Sequence, residues 1–282
     1  MKYLIGLLVV AAIITIIIVI ATTLFQRRYL SDAKQQLREM APVPTEILTE
    51  ETISGLPEPV QRYIRYTGAV GKPVVRNMKL TFVGQIRAAE DKPWMQFTTE
   101  QYNFMDSAWR LFFMKARMMG LPVAGYHAFK NGTAYMDIRL MSLVKVQYHD
   151  GEKMDASETV TFFNDMCCMA PGSLVDDRIE WLETDGNVVK AAFTNNGIRI
   201  TAWLHFNDEG QLVNFVSDDR WALEEGGKMS LVRWETPLYD YKMIDGYLLA
   251  TGADLIYKYP AGDLCYGQFK MGSVSYNVQS IK

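Results

Sequence analysis

The side chains with chemistry to offer are few, and their spacing limits what they can do. Histidines stand at 127, 149 and 205. A metal site needs ligands paired at short helical or turn spacing, because the ion must be enclosed from several sides. None of these histidines has such a partner, so each reads as a strand or surface residue. Cys167 and Cys168 are adjacent, a poor geometry for bridging each other, and Cys265 is remote in sequence. The three read as buried free thiols that pack as small apolar side chains, with a bridge to Cys265 the alternative left open. Sixteen methionines are present, but copper-handling methionines recur at regular short spacing. The M-K-A-R-M-M run at 114–119 and scattered single positions read as packing instead. Acidic pairs at Asp176-Asp177, Asp218-Asp219 and Glu224-Glu225 adjoin turns or strand ends, where carboxylates are ordinarily solvated. Nothing matches a G-x-S-x-G elbow, an H-E-x-x-H helix or a phosphate-binding glycine loop. The expectation is a protein that is not an enzyme, with no catalytic residues, no metal and no cofactor.

The composition is that of a folded chain long enough for a sizeable core: 282 residues, 49% hydrophobic and 22% charged. The net charge of −3 comes from 29 basic and 32 acidic residues without long blocks. No basic stripe points to nucleic acid.

From Tyr3 to Phe25 the chain carries no charge. Those 23 residues can cross a hydrocarbon core of about 30 Å, which takes roughly 20 residues as a helix. A cleaved secretory signal has an apolar region of only about 7–15 residues, so this run reads as an uncleaved single-pass anchor over 1–28. Its orientation is open. Arg27, Arg28, Lys34 and Arg38 after the span favour a cytoplasmic body by the positive-inside rule, whereas a short lysine-led start is how many exported, anchored proteins begin. An extracytoplasmic body is the expectation carried forward.

Residues 29–55 read as a spacer. LSDAKQQLREM at 30–40 is rich in helix formers, with Ser31 or Asp32 as a cap, and Pro42 and Pro44 stop it. Residues 56–282 then read as a single β-rich domain. LPEPVQRYIRYTG opens it with a helix that puts Val60, Tyr63 and Ile64 on one face and stops at Gly68.

After Lys72 the period becomes two. The stretch AWRLFFMKARMMGLPV, residues 108–123, is too charged and short for a second span. As a strand it places Phe112, Met114, Ala116 and Met118 on one apolar face. On the other, Leu111 and Phe113 lead to Lys115 and Arg117. A helix over 108–119 is the alternative its composition leaves open. GIRITAWLHF alternates more cleanly, with Ile198, Ile200, Ala202, Leu204 and Phe206 on one side. Turn pairs at Asn131-Gly132, Asp150-Gly151, Asp185-Gly186, Asn196-Gly197, Glu209-Gly210, Gly226-Gly227, Asp245-Gly246 and Gly262-Asp263 separate the segments. One helix interrupts them, from the capping-box-like Asp155-Ala-Ser-Glu158 to Pro171-Gly172. The fold class is therefore mainly β with a few helices (α+β). Roughly eleven or twelve antiparallel strands form a meander curved into a sheet or incomplete barrel, behind one N-terminal transmembrane helix.

Several stretches in this order resemble an uncharacterised, largely bacterial family known only as a domain of unknown function. They are LPEPVQRYIRYTG, FKNGTAYM at 129–136, DASETVTFFNDMCCMAPGSLV at 155–175 with the Trp181 strand after it, and the W-x(4)-Y-x-Y pattern from Trp234. The resemblance spans about residues 55–278 and brings no catalytic residue with it. More distantly, the order of elements is similar to the periplasmic lipoprotein carriers, whose curved half-barrels hold helices over an apolar concavity. That likeness implies a ligand surface lined by Phe112, Met114, Met118, Ile198, Ile200 and Leu204, with methionine adapting it to acyl chains. The partners expected are the membrane, through the N-terminal helix, and a lipid or other hydrophobic ligand. The competing expectation is a structural or interaction module of a membrane or envelope complex, in which the same apolar faces are plain core. An enzyme of unfamiliar type is a third.

Overall fold

The structure, a computed structural model, describes residues 2–40 and 46–281. The expected helix stop at Pro42 and Pro44 lies outside the described residues. The chain begins with one unbroken helix, α1 (Lys2–Glu39). Its first part is apolar on every side and open to the surroundings, long and apolar enough to cross a membrane. From Phe25 onward it becomes one-sided: Phe25, Tyr29, Ala33 and Gln36 are buried at helical spacing. The separate helix expected over 30–40 does not form. Because α1 is continuous, Asp32 has no orphan N–H groups to cap and instead accepts from Tyr126 Oη (2.6 Å) and Lys130 Nζ (2.9 Å). Residues 29–39, read as the start of a spacer, lie against the body.

Two short helices follow, α2 (Glu50–Ile53) and α3 (Glu58–Tyr66). α3 buries Val60, Tyr63 and Ile64 on the expected face. The strands then come in two series. The first is β1 (Asn77–Ile86), β2 (Met95–Phe104), β3 (Trp109–Met118), β4 (Leu121–Lys130), β5 (Thr133–Leu140) and β6 (Val144–Asp150). After α4 (Glu152–Met169) come β7 (Ile179–Asp185), β8 (Val188–Asn195), β9 (Ile198–Phe206), β10 (Leu212–Ser217), β11 (Trp221–Leu223), β12 (Met229–Leu231), β13 (Trp234–Ile244), β14 (Tyr247–Tyr259) and β15 (Gly262–Tyr276).

Thirteen strands form one antiparallel sheet in the order β6-β5-β4-β3-β2-β1-β15-β14-β13-β10-β9-β8-β7, and β11 and β12 pair separately. β1 bonds to β15, so the two series join at the middle and leave β6 and β7 as edges. The sheet is open yet strongly curled. The β4–β5 turn meets the β8–β9 turn so closely that a Cβ on Gly132 would lie 2.6 Å from Cβ of Asn196. α4 joins one edge to the other and runs through the trough, its middle and carboxy-terminal turns buried on all sides. The β11–β12 hairpin closes over it, with Ser157 Oγ accepting from the Trp221 N–H at 3.0 Å.

The 108–123 stretch is a strand, as expected, followed by its hairpin turn and the start of β4, and the helical alternative does not form. Several other local expectations are corrected. α4 starts at Glu152, so Asp155 and Glu158 do not form a capping box; Asp155 accepts from Ala134 N–H (2.6 Å) and Glu158 turns into the core. Asp150-Gly151 is the strand-to-helix corner rather than a hairpin, and Gly262-Asp263 are the first residues of β15. The sheet has more strands than expected because long apolar stretches divide at tight turns such as Met119-Gly120.

Candidate functional site

The trough beneath α4 gathers the described buried charges nearest the helix's polar face. β2, β3 and β4 lie side by side, with Phe112 opposite both Gln101 and His127, and Arg110 opposite Asn103. Period-two alternation therefore sends Gln101, Asn103, Arg110, Phe112, Met114 and His127 to one face. α4 brings Glu158, Thr161 and Asp165, spaced three and four apart, down onto that face. Asp165 Oδ2 accepts from Arg110 Nε (2.7 Å), Gln101 Nε2 (2.6 Å) and Asn103 Nδ2 (3.0 Å). Glu158 Oε2 accepts from Arg110 Nη1 at 3.1 Å. A second arginine grips α4 from the connection between β10 and β11. Arg220 Nη1 donates to the Ser157 carbonyl (2.9 Å) and the Thr161 hydroxyl, while its Nε donates to Tyr257 Oη (3.2 Å).

Two guanidiniums against two carboxylates leave this buried set neutral. Burial opposes the Arg110 charge most strongly, yet Asp165 and Glu158 hold its pKa above the ordinary value. Burial likewise raises Glu158, but Arg110, His127 and Arg220 together bring it below the ordinary range. His127 Nδ1 sits 4.0 Å from Glu158 Oε1. Burial lowers its pKa to about 4, with Arg110 and Arg220 adding to that against the pull of Glu158. It is neutral at neutral pH. The arrangement holds a helix on a sheet.

Around this set the trough is apolar. Phe112, Met114, Ile200 and Leu204 fall in one buried cluster, and Ile198 packs half-buried against it. Met118 does not join them; it is exposed near the β3–β4 tip. α4 fills the space between, with Phe163 stacked on Phe193 (5.2 Å) and Phe162 against Phe129 (6.2 Å). Reading the sequence for catalytic motifs passed over Arg110, Glu158 and Asp165. A signal was present: Arg110 stands two residues before Phe112, in step with the apolar face, and Glu158 and Asp165 repeat at seven in the helix that carries Phe162 and Phe163.

The remaining candidates are structural. Cys167 and Cys168 are buried free thiols, their pKa values pushed up by burial, whereas Cys265 is free but only half-buried. Asp218 pairs with Arg233 (2.9 Å), Asp219 accepts from Thr201 N–H (2.6 Å), and Asp176 pairs with Arg178 (2.6 Å). The Glu225 side chain lies outside the described atoms. Among the described residues no three His, Cys, Asp or Glu side chains cluster to hold a metal ion.

Comparison with known proteins adds the relationship. The chain is similar in structure to a DUF1329 family protein from Desulfovibrio piger, with 12% identity over 79% of this chain and 93% of that one and a TM-score of 0.42. It is also similar to a LolA superfamily protein from Nitrosomonas europaea, with 7% identity over 78% and 92% and a TM-score of 0.40. At such scores no residue role transfers. A search of curated proteins finds no match. The model of a family of unknown function, DUF6544, matches residues 46–269, most of the chain and nearly all of the quoted motifs, and the protein therefore belongs to that family.

Proposed function

We propose that the protein is a membrane-tethered, non-catalytic binder of a lipid or similar hydrophobic ligand. α1 anchors it from Tyr3 to Phe25, and the ligand lies in the trough along Phe112, Met114, Ile198, Ile200 and Leu204 when α4 swings aside. The observation that carries this reading is the polar seam between α4 and β2–β4. A buried ion-pair cluster is seldom the most stable way to fill a core, since well-packed apolar residues commonly do as well or better. Such a seam does suit a joint that opens, because Arg110, Glu158 and Asp165 regain water once exposed while the strand faces meet the ligand. Each buried methylene contributes about 0.8 kcal/mol, so a dozen offset the cost of association. On this reading 1–28 is the anchor and 56–282 the binding domain, and the described residues of 29–55 pack on the domain instead of spacing it from the membrane.

Native mass spectrometry of the full chain, extracted from its membrane or incubated with vesicles, tests the proposal. An adduct of lipid mass is expected, and Met114→Glu should remove it. A second reading, a structural module of a membrane complex, is favoured by the aromatic packing with which α4 occupies the trough. On that reading the wild type carries and acquires no lipid, and Met114→Glu acts only by lowering the melting temperature.

A further inference from the structure

The apolar run of α1 and the folded body meet without a gap. Phe25, its last residue, is already buried, with its ring 5.6 Å from Phe113 and the Arg139 guanidinium 4.5 Å above it. From there α1 runs antiparallel to β3: Gln36 donates to Ser107 (3.0 Å), Tyr29 stacks on Phe113 (5.4 Å) and Gln26 accepts from Lys115 (2.9 Å). Toward its amino terminus the helix therefore heads for the β3–β4 tip. The β5–β6 tip lies at the same end, because Val123 faces Leu140 across the β4–β5 ladder. From Phe113 to Met118 β3 extends about 16 Å at roughly 3.3 Å per residue, so even an oblique crossing leaves the tip on the order of 10 Å beyond Phe25.

At that end the β3–β4 and β5–β6 tips are apolar and uncovered, while the neighbouring β1–β2 tip carries the exposed Glu90, Asp91 and Lys92. Met118, Met119 and Leu121 are exposed at one tip, and Leu143, Val144 and Val146 at or beside the other. Met119 is 98% exposed and holds φ +51°. That left-handed conformation costs a side chain such as methionine about 1–2 kcal/mol, and asparagine or glycine fills it more easily. A strained turn that presents a methionine to the surroundings calls for something to receive it. Exposed cations, Lys115, Arg117 and Lys145, stand just behind the apolar tips. Apolar points backed by cations match the acyl boundary and phosphates of a phospholipid surface.

We infer that the β3–β4 and β5–β6 tips insert into the phospholipid interface beside α1, with Met118, Met119, Leu121 and Leu143 at the acyl boundary and the cations at the phosphates. This rests on α1 crossing the membrane. The test places the full chain in nanodiscs of phosphatidylethanolamine and phosphatidylglycerol. Met119→Cys, Leu143→Cys or, as control, Glu209→Cys at the exposed β9–β10 turn is labelled with an environment-sensitive fluorophore in a Cys265→Ser background. Labels at 119 and 143 should emit at shorter wavelength, be quenched by doxyl-labelled lipid and be at least several-fold less accessible to iodide than the label at 209. Iodide quenching at 119 and 143 equal to that at 209, in a chain that survives carbonate washing, overturns the inference and leaves the anchor standing. Shielding from iodide without doxyl quenching assigns the tips to a protein neighbour and also overturns it. Release of the chain by carbonate sinks the anchor and the inference together.

Discussion

β3 and β9 are both long apolar strands of one sheet, and they are buried in different ways. β9 alternates, with Ile200, Ala202, Leu204 and Phe206 buried toward the trough and Arg199 exposed on the outer face, where Trp203 and His205 stay half-covered. β3 does not alternate: from Trp109 to Met114 every residue is buried. Its trough face meets α4, and its outer face, through Leu111 and Phe113, meets Phe25, Tyr29 and Ala33 of α1. Period-two polarity records how many faces of a strand are covered, and loss of alternation marks a second covering layer. β3 also carries the charge that ties down α4, whereas the cation of β9 faces outward to Glu180 at 2.7 Å. One sheet thus has a sandwiched arm beside α1 and a one-sided arm away from it.

The comparison breaks most sharply at the two arginines. Arg110→Ala leaves Asp165 and Glu158 buried without their cation and should destabilise the protein by about 3–5 kcal/mol. Arg199→Ala, removing an exposed pair, should change stability by no more than about 1 kcal/mol. Paired denaturant melts of the two variants check this, and equal effects would mean that the seam at α4 is not distinctive. The covering layer gives the next effect. Tyr29→Ala empties an aromatic site between Phe113 and Tyr126 and should cost about 3 kcal/mol, against about 1 kcal/mol for Trp203→Ala on the outer face of β9, as measured by the same melts.

Acid sharpens the contrast further. Burial depresses His127 to about 4 in the folded protein, against about 6.5 unfolded. The unfolded chain therefore binds the extra proton first. Stability from this group is complete above about pH 6.5 and is lost as pH falls toward 4, by at most about 3 kcal/mol. Melting temperatures from pH 7 to 4.5 should fall more steeply for the wild type than for His127→Gln, and parallel curves would exclude the buried histidine as the cause. The smallest effect belongs to the thiols. Cys167→Ser places a hydroxyl in an apolar site and should cost about 1–2 kcal/mol, while Cys265→Ser, half-buried, should cost less than 1. Thermal melts rank the two.

Much of the fold was legible in particular stretches. The uncharged run of Tyr3–Leu24, the alternation of β9, the Asn196-Gly197 turn and the buried face of α3 are each written within a dozen or so neighbouring residues. The charged seam was not. Arg110 and Asp165 lie in elements separated by three strands, β4 to β6, and their turns, and no local period links a strand cation to a helix carboxylate. Glu158 was misassigned for a related reason: its spacing from Asp155 imitates a cap, and only the early start of α4 reveals it to be a core residue. The candidate lining residues were legible as faces, but not as faces already occupied by a helix.

The sequence by itself determined the apolar segment at the amino terminus, the sequence of strands and turns, and which side chains share a strand face. These follow from the fixed geometry of the chain, in which the period of a strand or helix is set by backbone sterics alone. Only the tertiary structure decided that β1 joins β15, that α4 runs through the trough instead of outside it, and that α1 continues past its apolar run to cover β3. Those choices come from burying apolar area and matching buried charges between residues far apart in sequence, where any exposed face is a possible partner until one packing satisfies all of them at once. The same packing places Met119 at the end of the sheet toward which the apolar run of α1 points.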